Sequence, residues 1–159
     1  MEDLADMLVD RLRQLREECR DSAYKLEFTS HHLKSKYPEL ADRLAQMTEQ
    51  RRQCAQQLTQ RIRSLGHEVE EGGSLMESVS HSWEELRAAI ATPKPDHLLD
   101  SLIEREQQAL DAYDEALQDV MDSTTLQLVL EHRAHFEMCL HELKYVRQDG
   151  GQLYPSMSL

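Results

Sequence analysis

Between Pro95 and Val120, the residues Leu99, Leu102, Glu106, Ala109 or Leu110, Tyr113, Leu117 and Val120 recur at the three- and four-residue spacing of one helix face. Such a stripe must be buried against other elements, and this one carries a carboxylate at its centre. A carboxylate in that position has two common fates. It neutralises a cation from a neighbouring element, or it ligates a metal ion.

Three further stretches carry the same period, so the chain has to place four apolar stripes around one core. Leu4, Leu8, Leu12, Leu15, Cys19, Ser22, Leu26, Thr29 and Leu33 define a helix over 3–33 whose stripe weakens at Cys19 and Ser22. Pro38, well suited to a first helical position because its missing N–H is not needed there, opens a second helix over 38–65. Its stripe runs through Leu40, Leu44, Met47, Arg51, Cys54, Leu58, Ile62 and Leu65, again polar in the middle. Gly66 supplies the residue that commonly follows a helix end. The third helix is expected over 95–121. The fourth, capped within Asp122–Thr125, is expected over 124–149, with Val129, His132, Phe136, Cys139 or Leu140, Leu143 and Val146 inward, Gly150-Gly151 closing it and a loose tail over 152–159.

About thirty residues separate the second helix from the third, far more than an up-down-up-down bundle needs. Within them Ser74-Leu-Met-Glu77 has the form of a capping box, and Met76, Val79, Trp83, Leu86 and Ile90 keep helical spacing. The expected fold is therefore all-α: a single-domain, ferritin-like four-helix bundle with a long crossover carrying a short helix over 75–91, anchored by Trp83. In this topology the second and third helices run parallel.

Composition narrows the function classes. The chain holds 159 residues, 40% hydrophobic and 30% charged, with 5 Gly and 4 Pro, which suits long amphipathic helices and not disorder. No apolar run approaches the roughly 18 residues of a membrane span. Met1 to Asp10 carries Glu2, Asp3, Asp6 and Asp10 where a secretory signal needs positive charge, so a bacterial-type cytoplasmic location is expected. Three cysteines without Cys-x-x-Cys spacing, Cys19, Cys54 and Cys139, point to core thiols and not to a zinc knuckle or a disulfide framework. The formal net charge is −12: residues 1–65 hold 12 basic and 11 acidic groups, 66–159 hold 6 and 19. An acidic surface repels phosphate and disfavours nucleic acid, whereas two halves of unlike charge can complement each other inside the fold or between subunits.

Counting from the turns brings the polar stripe positions to one height. Arg51 and Glu106 lie 14 and 12 residues into parallel helices, measured from Tyr37 and Lys94, so they are expected to meet in the interior. Either charge left alone there would cost several kcal/mol. Tyr113 joins this buried polar layer, with His132 or His135 as a further member. The alternative is a di-metal site holding iron or manganese through Glu106, Glu18, Glu131 and His135. Such centres need Glu-x-x-His on two helices. Here Glu49-x-x-Arg52 puts a cation where the ligand belongs, and Glu131 and His135 stand four apart. No phosphate loop, nucleophile elbow or Ser-His-Asp set is present.

The order of these features resembles a known family. Ser22-Ala-Tyr24 in the first helix, Leu65-Gly66, Gly72-Gly73-Ser74, Trp83, and Glu106 with Tyr113-Asp-Glu-Ala-Leu117 are similar to an uncharacterised bacterial domain of unknown function, described as a four-helix bundle of the ferritin-like group. The similarity spans roughly residues 4–148. It implies a ferritin-like bundle with no established activity, substrate or cofactor. Many relatives have Glu-x-Gly-Glu where this chain has Ile103-Glu-Arg-Glu106, so Glu106 alone carries over. The expectation is thus a non-enzymatic protein without cofactor, acting on a protein partner or on itself as a homo-oligomer, with a ferroxidase-like metal protein as the alternative.

Overall fold

The computed structural model describes residues 3–70 and 94–153, and among these the regular elements are four helices: α1 (Leu4–Leu33), α2 (Pro38–Ser64), α3 (Pro95–Ala116) and α4 (Ser123–Leu153). The expected 75–91 helix, its capping box and Trp83 lie outside the described residues.

Local chemistry sets most helix ends. Asp3 caps α1 by accepting from the backbone N–H of Ala5 at 2.6 Å and of Asp6 at 3.1 Å. After α2, Gly66 adopts φ +88°, while Gly66 N–H bonds Arg63 O at 2.9 Å and His67 N–H bonds Ile62 O at 3.2 Å. This pair of bonds is a Schellman closure, and its left-handed residue is one that a side chain would strain. Asp122 opens α4 by accepting from Thr125 N–H at 3.1 Å.

Two ends differ from the pattern in the sequence. Helix α3 stops at Ala116, five residues before the expected 121, and Val120 is 73% exposed. The cause is a tightening into i→i+3 bonds, Gln118 N–H to Glu115 O and Asp119 N–H to Ala116 O, where acidic side chains also sit unfavourably against the helix's negative pole. Helix α4 continues through Gly150-Gly151 to Leu153, four residues beyond the expected end and into what was expected as tail. Glycine weakens a helix by about 1 kcal/mol per residue but leaves helical φ and ψ open to it. At the other extremity, Leu4 is 65% exposed, so the buried stripe of α1 begins at Leu8.

Pairs along the helices fix their directions. Helix α1 is antiparallel to α2, as Ser30 to Ala41 and Arg16 to Thr59 show, and antiparallel to α3, as Arg11 to Asp119 and Ser22 to Glu106 show. Helix α4 is antiparallel to α3 through Tyr113–His132 and Arg147–Asp100, and to α2 through Arg43–Glu142 and Arg61–Asp122. Consequently α2 and α3 run parallel, on opposite corners of the bundle.

The core divides into two apolar clusters. One is built around Leu12, Leu15, Leu58, Ile62, Val129 and Phe136, the other around Leu26, Leu44, Met47, Leu99, Leu102 and Leu143. Ser22, Arg51 and Glu106 are buried but belong to neither cluster.

Candidate functional site

Arg51 reaches from α2 to the opposite corner of the bundle, where its Nη2 lies 2.7 Å from Glu106 Oε2 on α3. Their side chains are 0% and 1% exposed. Two further groups complete the arrangement. Ser22 on α1 donates to Glu106 Oε1 and accepts from Arg51 Nε at 3.2 Å, and Arg51 Nη1 donates to Gln50 Oε1 at 3.3 Å. The guanidinium lies over the Phe136 ring, 3.7 Å from its centroid. Burial is the strongest influence and works against the Arg51 charge, yet Glu106, first among the several groups that act the other way, leaves the proton held more tightly than usual.

One turn away, a hydrogen-bonded row crosses the same core. Cys19 Sγ lies 3.2 Å from Tyr113 Oη, Tyr113 Oη lies 3.0 Å from His132 Nδ1, and His132 Nε2 lies 2.7 Å from Gln57 Oε1. A carboxamide oxygen only accepts, so His132 carries its proton on Nε2 and its Nδ1 takes the Tyr113 hydroxyl. Burial pushes the Tyr113 hydroxyl well above its ordinary pKa, which keeps it a donor. The ring also packs on Phe136 with centroids 5.2 Å apart.

The residues proposed as metal ligands do not converge. Glu106 is engaged by Arg51 and Ser22, and Glu18 lies on the flank in an ion pair with Arg105. Glu131 is exposed and accepts from Gln127 at 3.4 Å, while His135 Nδ1 takes Gln50 Nε2 at 2.9 Å. Among the described residues no group of three or more His, Cys, Asp or Glu could hold a metal ion. The set Glu106, Glu18, Glu131 and His135 therefore does not fit iron or manganese. A buried cation already stands where a metal would have to sit.

Ser22, Cys19 and Gln57 complete the interior network. The first two are signalled by the weak middle of the α1 stripe. Gln57 carries no sequence signal, because it lies off the inward face of α2 and reaches His132 from the side.

A family profile for a domain of unknown function, DUF2383, matches residues 7–119. The chain belongs to that family. The DUF2383 match takes in α1 from its second turn, α2, α3 and both partners of the buried ion pair, and stops short of α4. No curated protein matches the chain, and no solved structure does. None of the described helices is long and apolar enough to cross a membrane.

Proposed function

We propose that this protein is a non-enzymatic, ferritin-like bundle of the bacterial cytoplasm that works through protein contacts, and that its partner is a second copy of itself met through the outer face of α4. The parallel run of α2 and α3 supports the ferritin-like reading, since the end of α2 and the start of α3 then lie at opposite ends of the bundle. The non-enzymatic reading rests on the interior: the charged and polar groups described there are turned towards one another.

The observation that carries the docking reading is a second apolar stripe on α4, pointing away from the core. Leu126, Leu130, Ala134, Met138 and Tyr145 are all exposed, Leu130 by 48% and Met138 by 70%. Most steps are of four residues, so the side chains form a continuous ridge on one helix surface. A hollow of about 530 Å³ opens beside Ala134, Met138, His141 and Tyr145. Scattered apolar residues are ordinary on a surface, but an aligned ridge is a feature of contact faces.

The ridge suits its own copy. In an antiparallel two-fold pairing of α4 helices centred near residue 135, the small Ala134 lies at the crossing. Leu126 then faces Tyr145 of the second copy, and Arg133 comes level with Glu137 of that copy on the same flank, twice by symmetry. Sedimentation over rising concentration tests this: a dimer is expected, and Leu130→Asp should dissociate it. Ala134→Cys should cross-link between copies, whereas Gln53→Cys on the outer face of α2 should not. A monomer persisting to about 1 mM removes the reading.

A further inference from the structure

Two of the three free cysteines face each other inside the bundle. Cys19 lies one turn before Ser22 on α1 and Cys54 one turn after Arg51 on α2. The Arg51 Nε to Ser22 Oγ bond of 3.2 Å sets the antiparallel register, so the next pair of inward positions is Cys19 opposite Cys54. Each thiol acts on the ionisation of the other, and both residues belong to the same apolar cluster. Cys139 belongs to the other cluster and lies beside Gln50, its Sγ 3.7 Å from Gln50 Oε1.

The surroundings favour thiol chemistry at this pair over inert packing. The Cys19 thiol draws the Cys54 pKa down against its burial, and the Arg51 guanidinium adds to that effect. Burial is the chief cause that pushes the Cys19 thiol up. A thiolate is the reactive form, so Cys54 is the attacking sulfur and Cys19 the sulfur that closes the bond. The row of Tyr113, His132 and the exposed Gln57 runs from Cys19 to the surface.

We propose that Cys19 and Cys54 are a redox-active dithiol that hydrogen peroxide converts into an intramolecular disulfide between α1 and α2. Cys54 sulfur attacks one oxygen of the peroxide, the O–O bond breaks, and the departing hydroxide takes the Cys54 proton and leaves as water. Cys19 sulfur then attacks the Cys54 sulfenic acid. The S–S bond forms, the S–O bond breaks, and the second hydroxide leaves as water with the Cys19 proton. Two thiols are oxidised by two electrons, and one peroxide is reduced to two waters.

The test treats the folded full chain with a few equivalents of hydrogen peroxide. Free thiols are counted after unfolding, and the linked peptides are mapped. Free thiols should fall from three to one in a monomer about 2 Da lighter, with Cys19 joined to Cys54. Cys139→Ser should still lose that mass, whereas Cys19→Ser and Cys54→Ser should not. The wild-type peptide map decides the matter even where a variant folds poorly. Three thiols surviving in the folded chain while they react in urea would overturn the proposal. So would a bond to Cys139, a bond between chains, or accumulation of sulfinic acid without the disulfide.

Discussion

Arg105 and Glu106 are consecutive on α3, yet they belong to ionic clusters of opposite character. Glu106 points inward to a guanidinium and a hydroxyl that satisfy both of its oxygens. Arg105 lies along the flank against α1, paired with Glu18 and 3.9 Å from Asp21. There, Arg105 Nε and Asp21 Oδ1 are buried atoms without a hydrogen-bond partner among the described residues. Deeper burial coexists with fuller satisfaction. What decides whether a charge is tolerable is therefore the completeness of its partners, and depth only raises the penalty for incompleteness.

The strongest way to break this contrast is to remove one member of the inner cluster. Arg51→Met should destabilise by about 3 kcal/mol or more in urea unfolding, because Glu106 keeps the Ser22 hydroxyl but loses its cation. Replacing Arg51 and Glu106 together by Met and Leu should cost much less. Equal losses in the two variants would mean that the pair is not the unit described.

The outer cluster should respond with the opposite sign. Burial, with Glu17 adding to it, raises Asp21 to about 6 from its ordinary 3.8. The folded state thus binds more protons than the unfolded state between those values, and stability falls as pH rises through that window. Asp21→Asn should therefore stabilise by about 1 kcal/mol at pH 7.5, a figure discounted for the partial exposure of the side chain, and should gain nothing at pH 3. Thermal melts across that range read the difference directly. The smallest effect belongs to the partner on α1. Glu18→Gln should cost less than about 1 kcal/mol and lose even that in high salt, since partly exposed pairs are screened.

The contrast also marks what can be read from the amino-acid order. Spacing alone places four inward stripes and shows that each of the first three weakens at a polar residue. Counting from the turns then sets Arg51 and Glu106 at one height, because a helix has a fixed rise per residue. Lateral neighbours are not encoded in that way. Arg105 meets Glu18, and Gln57 meets His132, because adjacent helices roll against each other by angles that periodicity leaves free. The same limit applies at the ends: Val120 continues the apolar period of α3 but not its hydrogen bonding, and Gly150-Gly151 weaken α4 without stopping it.

The reach of Arg51 across the bundle also bears on the order of assembly. Each hairpin can close early on its own, since 34–37 and 117–122 are short loops, whereas the guanidinium and the carboxylate stand on helices that share no side of the bundle. Both ions must shed water before they touch, so the merging of two preformed hairpins is the expected slow step. Replacing the pair by apolar residues should then speed folding, which stopped-flow refolding would read.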